Sequence, residues 1–90
     1  MIVFTDHAKD KLLKEIGKLG ITEKVVIEIL RNPDGLLYDA STDRFVAFSW
    51  SRNVAVIYEK TNGDLIIVTV IYSSQLRDIV DRRRRIGRWI

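Results

Sequence analysis

The side chains best suited to catalysis lie near the N-terminus, where one histidine and three lysines recur at helical spacing. Histidine is the only side-chain type whose ordinary pKa lies near neutrality, and His7 is the single histidine of the chain. Lys11 and Lys14 follow one and two turns later on the same predicted helix face, and Lys18 extends this basic ridge. An acid/base group beside two cations is what metal-independent RNA cleavage requires. The alternative is that His7 helps to cap the helix and that the lysines are its solvated face.

Three residues of the predicted sheet are candidates to complete such a site. Tyr58 offers a stacking surface and a phenolic proton, although a tyrosine near a strand end equally completes a core with its hydroxyl at the edge. Arg44 begins a strand, from which it either reaches a phosphate or pairs with Asp43 or Glu59. Arg52 lies in a tight turn, where we expect it to be exposed. We therefore predict that Tyr58 assists the catalytic group and that Arg44 and Arg52 contact nucleic acid.

The net positive charge of the chain lies in its C-terminal segment, residues 75–90. This segment carries six arginines against two aspartates, a net charge of +4, whereas the preceding residues carry a net charge of −1. Arg82 and Arg85 each stand four residues after an aspartate, at the spacing of ion pairs on a helix. Three arginines near the end lack such a partner and are predicted to bind phosphate groups: Arg83, Arg84 and Arg88. Trp89 has three open roles: stacking on a base, packing on the core or filling a partner's pocket.

Length and composition limit the classes of protein to which the chain can belong. Its 90 residues make one domain, and 47% hydrophobic with 30% charged residues is typical of a chain that folds. The absence of cysteine excludes disulfides, zinc–thiolate sites and thiol nucleophiles, and one histidine leaves no nitrogen cluster for a metal, so we expect no cofactor. No apolar run approaches the ~20 residues that span a bilayer. The N-terminal residues lack a secretory pattern, so we expect a cytoplasmic protein without membrane contact.

Three predicted helices carry most of these candidates. The first begins after the N-cap Thr5 or Asp6, the second begins at Thr22 and stops before an Asn-Pro-Asp-Gly segment, and the third begins at Gln75. The side chains predicted to face the core are Ala8, Leu12, Ile16 and Leu19 on the first helix, Val25, Val26, Ile29 and Leu30 on the second, and Leu76, Ile79, Val80 and Ile86 on the third.

Strands are predicted over most of the remaining chain. Segments rich in β-branched and aromatic residues lie at residues 2–4, 36–38, 44–50, 54–60 and 65–72. The Asn62-Gly63 pair and the turn at 51–53 predict hairpins, so the second half of the sheet is antiparallel. The apolar run from Leu65 to Ile71 predicts a central strand covered on both faces. The predicted fold class is α+β, a single domain in which an antiparallel sheet packs against a helical hairpin and a C-terminal helix.

The predicted order of strand, two helices, three to four antiparallel strands and a basic C-terminal helix resembles the RelE/ParE superfamily of small toxins from toxin–antitoxin modules. Five short segments are similar to those of an uncharacterised prokaryotic domain family near the BrnT-type toxins: Thr5-Asp6-His7-Ala8, Gly20-Ile21-Thr22, Asn32-Pro33-Asp34, Val56-Ile57-Tyr58-Glu59 and Val68-Thr69-Val70. That family tends to have arginine where this chain has Lys11 and Lys18.

The resemblance implies an RNA-cleaving toxin, or a relative that kept the fold without the activity, held inactive by an acidic antitoxin. RNA or the ribosome is then the expected partner. One alternative is a non-catalytic module that docks its C-terminal arginines on nucleic acid or on an acidic antitoxin segment. Another is a homodimer built on the sheet edge or on Trp89. The leading interpretation requires the basic groups to converge on one cavity for an anion.

Overall fold

The computed structural model describes residues 1–90 and contains three α-helices and a five-stranded mixed sheet. In chain order the elements are β1 (Ile2–Phe4), α1 (Asp6–Lys11), α2 (Glu23–Arg31), β2 (Gly35–Asp39), β3 (Arg44–Ser49), β4 (Val54–Thr61), β5 (Asp64–Tyr72) and α3 (Leu76–Arg85). A π-helical turn (Leu12–Ile16) and a 3-10 turn (Gly17–Leu19) continue α1. The α+β class and the element order agree with the prediction. None of the three helices combines the length and apolar character needed to cross a membrane.

The strands lie in the order β1-β5-β4-β3-β2, so that β4 is the central strand. From β2 to β5 they pair antiparallel, as predicted, through tight turns in which Asn53, Asn62 and Gly63 adopt positive φ. β1 pairs in parallel with β5, so the sheet is mixed rather than antiparallel throughout. The strand predicted to be central, β5, lies one place from the edge, and only its Ile67 and Val70 are fully buried.

Helices cover both faces of this sheet and divide the apolar residues into two cores. Successive residues of β4 alternate between them, as the two-residue period of a strand requires. The core on the α1 and α2 side, the hairpin-side core, includes Ala8, Leu12, Ile16, Val26, Ile29, Val54, Val56 and Tyr58. The core on the α3 side, the C-terminal core, includes Val46, Phe48, Ala55, Ile57, Leu76, Val80 and Trp89. The protein therefore has three layers, with the sheet in the middle.

The first helix departs from regular α geometry because of the spacing of its buried residues. It begins as predicted, since the Thr5 hydroxyl accepts a hydrogen bond from the Ala8 N–H at 3.1 Å. Ala8, Leu12 and Ile16 are buried at every fourth position, and each such step overshoots one α-helical turn by about 40°. The wider π turn removes part of this drift. The prediction that Leu19 continues the buried stripe is wrong, because its side chain is 49% exposed.

The last helix begins at Leu76, one residue after the predicted start. Leu76 and Val80 are buried, as predicted. The prediction that Ile86 faces the core is wrong: it follows the end of the helix and is 76% exposed. Gly87 then adopts a φ of +77°, which reverses the direction of the chain.

After this reversal the last three residues run along the outer edge of β2. The Ala40 N–H donates a hydrogen bond to the Arg88 carbonyl at 2.7 Å. The Ile90 N–H donates to the Tyr38 carbonyl at 2.9 Å. Trp89 lies between them, is 1% exposed and packs into the C-terminal core, which is one of its three predicted roles. This segment, residues 88–90, is called the C-terminal return below. It hydrogen-bonds to backbone N–H and C=O groups that the edge strand β2 would otherwise leave free.

The buried carboxylate of Asp39 anchors the C-terminal return through hydrogen bonds. One oxygen accepts hydrogen bonds from the Ser41 hydroxyl at 2.7 Å and from the N–H groups of Ser41 and Thr42 at 2.9 and 3.2 Å. The other accepts from Arg88 Nε at 3.2 Å and from Trp89 Nε1 at 3.1 Å. Burial by itself would raise the pKa of this carboxyl, but the hydrogen bonds from Ser41 and Trp89, with the Arg88 charge, outweigh burial and lower the pKa to about 2.

The substitution Asp39→Asn should lower the free energy of unfolding at about pH 7 by roughly 2 kcal/mol. A pKa lowered from 3.8 to about 2 stabilises the folded state above both values, and this contribution is lost as the pH falls through that interval. The difference between the two proteins should therefore shrink as the pH falls from about 4 to about 2 and vanish only below about pH 2, as measured by urea denaturation with circular dichroism. Asp81→Asn, at an exposed position without an ion pair or side-chain hydrogen bond, is the matched control and should cost less than about 0.5 kcal/mol. A difference in unfolding free energy that stays undiminished down to about pH 2 would contradict the lowered pKa of Asp39.

Candidate nucleic-acid interface

The structure separates the predicted basic residues into two groups on opposite layers of the molecule. The α1 group consists of His7, Lys11, Lys14 and Lys18. The α3 group consists of Arg82, Arg83, Arg84 and Arg85. The sheet and its two cores lie between them, because α1 packs on one face and α3 on the other. The predicted convergence of all basic groups on one cavity is therefore wrong, and each group is a separate candidate site.

His7, Lys11 and Lys14 do lie together, at a shallow depression of about 200 Å³ on α1. Asp10 and Glu15 line the same depression, and the Asp10 carboxylate lies 3.9 Å from Lys14 Nζ. Two carboxylates thus balance the two lysine charges, which weakens the attraction for a phosphate. The geometry places an imidazole beside two ammonium groups but gives the depression little net charge.

Lys18 does not line this depression, although its spacing predicts the same helix face. The π turn contains more residues than an α turn, so it rotates the residues that follow it relative to those that precede it. Lys18, although a member of the α1 group, is exposed in the 3-10 turn, outside the depression that contains His7.

Tyr58 belongs to the hairpin-side core rather than to the α1 depression. The residue is 5% exposed, and its ring stacks on Phe45 with the ring centroids 5.6 Å apart. Burial raises the pKa of Tyr58, which makes its hydroxyl a poorer proton donor near neutral pH. Of the two interpretations of this tyrosine, completion of the core is the one that the structure shows.

Arg44 and Arg52 both have carboxylate partners. Arg44 Nε lies 3.2 Å from the Glu59 carboxylate, one of the pairings that the sequence left open. Arg52 Nη2 lies 3.1 Å from the carboxylate of Glu28 on α2. These pairs are half-exposed and each is worth about 1 kcal/mol or less, so a phosphate could compete for either arginine only by displacing a neutralising partner.

Four exposed arginines of α3 lack carboxylate partners. Arg77, in the first turn, lies over the Trp50 ring with its guanidinium carbon 4.3 Å from the ring centre. We call the other three, near the end of the helix, the α3 arginine surface: Arg82, Arg84 and Arg85. The ion pairs predicted for Arg82 and Arg85 do not form. Arg82 Nε instead donates to the backbone carbonyl of Asp78 at 3.4 Å. Exposed pairs at this spacing gain only about 0.3–0.5 kcal/mol, which scarcely exceeds the cost of ordering two long side chains.

A groove of about 600 Å³ lies along the same helix. Its lining residues are Ile79, Arg82, Arg83, Arg85 and Ile86. Guanidinium groups beside exposed apolar side chains suit a ligand that carries several negative charges and some apolar surface.

Arg83 is half-buried between this groove and the C-terminal core. Its guanidinium carbon lies 4.7 Å from the centre of the Trp89 ring. Burial lowers the pKa of Arg83, and the positive charges of Arg88 and Arg82 lower it further. The guanidinium groups at this end of the molecule therefore repel one another, and an anion bound among them would relieve that repulsion.

Arg88 is already paired, which corrects its prediction as a free phosphate-binding residue. Its partner, the Asp39 carboxylate, is 49 residues away in sequence, so no local pattern reveals the pair. The Ser41-Thr42 pair after Asp39 does mark an Asx-type turn, and both backbone N–H groups bind its side chain. A turn-forming role for Asp39 was therefore open to prediction, whereas its contact with the C-terminus was not.

The arginines of the C-terminal segment should differ sharply in their effect on stability. Replacing Arg82, Arg84 and Arg85 together by Ala should leave the melting temperature unchanged or slightly raised, because these side chains are exposed and mutually repulsive. Arg88→Ala should lower the free energy of unfolding by about 1–3 kcal/mol, because it removes a charged hydrogen-bond donor from a buried carboxylate. Thermal denaturation of both variants measures the contrast, and equal losses would contradict this division.

In comparisons with known proteins, no family model, no curated protein and no solved structure matches the chain.

Proposed function

We propose that the chain is a RelE/ParE-like RNA-binding domain that contacts RNA phosphates with the α3 arginine surface. The observation that carries the proposal is the set of three exposed guanidinium groups without carboxylate partners within four consecutive residues of one helix. Arginine presents a planar fork of donors that matches a phosphate group with two hydrogen bonds. The proposal that the polyanion is RNA rests on the resemblance of the element order and of the short motifs to the RelE/ParE superfamily.

The electrostatics of the two basic groups favour α3 over α1 as the main contact. The α1 depression contains two lysines and two carboxylates, whereas the groove on α3 is lined by three arginines and no carboxylate. Each cation that neutralises a phosphate also releases condensed counterions, so the attraction is strongest at low salt.

The RNA affinity of the α3 arginine surface can be measured by fluorescence anisotropy with a short single-stranded RNA over a range of salt concentrations. Replacing Arg82, Arg84 and Arg85 together by Ala should weaken binding at low salt by about tenfold or more. The slope of log affinity against log salt should become shallower by about 2, since each single-strand phosphate contact contributes about 0.7.

The matched control replaces Arg44 and Arg52 together by Ala. This variant removes two arginines that are already ion-paired, so its affinity and salt slope should stay close to those of the wild type. A wild-type protein that binds no RNA at low salt, or two variants that lose affinity equally, would refute the proposal.

An acidic protein segment is the second candidate partner for this surface. This is the non-catalytic alternative, in which an antitoxin docks on the arginines. The exposed Ile86 and half-buried Ile79 favour it, because an amphipathic acidic helix has both apolar and carboxylate side chains to offer the groove. Binding of such a segment should depend on Ile86, whereas phosphate contacts should not.

Metal-independent RNA cleavage at the α1 depression is the catalytic part of the proposal. Its support is the placement of His7 beside Lys11 and Lys14 at one exposed depression. Tyr58 and Arg44 are not part of this group, so the imidazole and the two ammonium groups would have to act alone.

Cleavage is tested with free and ribosome-bound RNA at low salt in the presence of a chelator. His7→Ala should reduce the rate by at least about a hundredfold, the usual contribution of a general acid or base. Lys18→Ala is the control, because Lys18 is equally exposed but lies outside the depression. If the wild-type protein leaves RNA intact, the catalytic part of the proposal is refuted, and the binding part is decided by the affinity measurements alone.

A further inference from the structure

Three aromatic rings form a row across the strands β2, β3 and β4. Tyr38 pairs with Phe45, and Phe45 pairs with Tyr58, so all three side chains lie on the hairpin-side face of the sheet. The Tyr38 and Phe45 rings meet edge to face with centroids 5.3 Å apart. The Phe45 and Tyr58 rings stack at 5.6 Å. The row begins in the core at Tyr58 and ends at the edge strand β2.

The outer end of this row is not covered by a helix. α2 packs against β3 and β4, and Leu36, on the same face of β2 as Tyr38, is 61% exposed. Tyr38 and Phe45 are accordingly only half-buried, in contrast to Tyr58. An aromatic surface is therefore accessible at the edge of the sheet.

A cation accompanies this aromatic surface. Lys60, on the same face of β4 as Tyr58, places its Nζ 4.7 Å from the centre of the Phe45 ring. The lysine is exposed and forms no ion pair. The Asp43 carboxylate accepts a hydrogen bond from the Tyr38 hydroxyl at 2.7 Å, so an anionic ligand would be attracted on the Lys60 side of the rings and repelled on the other.

The edge strand also connects this surface to α3. The residues that follow α3 are hydrogen-bonded along β2, where the Ile90 N–H donates to the carbonyl of Tyr38 itself. The segment that follows α3 and the Tyr38 backbone thus lie at the same edge of the sheet.

We infer that the Tyr38 ring, supported edge to face by Phe45, forms a stacking site for an unpaired base of a single-stranded RNA, with Lys60 beside it for the adjacent phosphate. This inference rests on the proposed function and adds the kind of RNA that is bound. Base–aromatic stacking tolerates any base but requires the base to be free of its partner strand, so the site selects single-stranded over duplex RNA. Tyr58 stacks on Phe45 and the Lys60 ammonium lies over it, so Tyr38 is the ring that remains for a base. Lys60 has no carboxylate partner and therefore remains able to contact the phosphate beside that base.

The test compares the affinity of a short single-stranded RNA with that of its duplex, by fluorescence anisotropy on the full chain. Tyr38→Ala should weaken single-strand binding by about fivefold to a hundredfold, the range of one base–aromatic stack, and change duplex binding by less than about twofold. Tyr38→Phe keeps the ring and should keep the affinity. Leu36→Ala removes an exposed apolar side chain from the same face and should have no effect.

Lys60→Ala provides a second variant should Tyr38→Ala unfold, since an exposed lysine is not needed for the core. It should make the single-strand salt slope shallower by about 0.7, one phosphate contact, and leave duplex binding unchanged.

The outcomes separate this inference from the proposal on which it rests. If Tyr38→Ala and Lys60→Ala both bind single-stranded RNA as tightly as the wild type, while the triple variant of Arg82, Arg84 and Arg85 loses binding, the stacking site alone is overturned. Equal losses for single strands and duplex, or a loss in Tyr38→Phe as large as that in Tyr38→Ala, would also overturn it. A wild-type protein that binds neither RNA would overturn both.

Discussion

The Asp39 carboxylate is the interaction on which the C-terminal part of the molecule depends. It accepts five hydrogen bonds, two of them from Arg88 and Trp89, the residues that follow α3. A buried charge is costly unless it is fully hydrogen-bonded, and charge-assisted bonds are about twice as strong as neutral ones, so the complete set offsets the desolvation of the carboxylate. Without it, Trp89 would lose its hydrogen-bond partner in the core and the return along β2 would lose its anchor. The Asp39 carboxylate thus ties the segment that follows α3 to the end of β2.

The same carboxylate decides which arginines remain available. It neutralises Arg88, and the Trp89 ring that it orients covers one side of the Arg83 guanidinium. Three neighbouring arginines, the α3 arginine surface, receive no such partner. On the other layer the lysines of α1 lie among carboxylates, so the two basic groups have similar numbers of cations but different net charge. Because attraction for a polyanion follows the local sum of charges rather than the count of cations, the α3 group dominates.

The features that sequence reasoning predicts correctly are local. The caps Thr5 and Thr22 and the Asn62-Gly63 turn depend on residues within a few positions of each other, and the structure contains all of them. Predictions failed where distant packing decides. Leu19 is exposed because the π turn changes the phase of α1, and the Arg88 pair joins residues 49 positions apart. The same holds for the candidate site. The arginine run is visible in the sequence, but its separation from the α1 group depends on which face of the sheet each helix covers, and that is decided by distant packing.

The positive charges of the α3 group repel one another. This repulsion opposes folding, and for the same reason it favours the binding of an anion. Burial lowers the pKa of Arg83, and the charges of Arg88 and Arg82 lower it further, while the Asp39 carboxylate opposes part of this effect. A ligand with a single carboxylate neutralises one guanidinium and leaves the others in mutual repulsion. A chain of phosphates places several negative charges among them at once, and the repulsion present in the free protein disappears in the complex. Under the proposed function, this arrangement would favour a nucleic-acid backbone, which carries several linked charges, over an isolated acidic side chain.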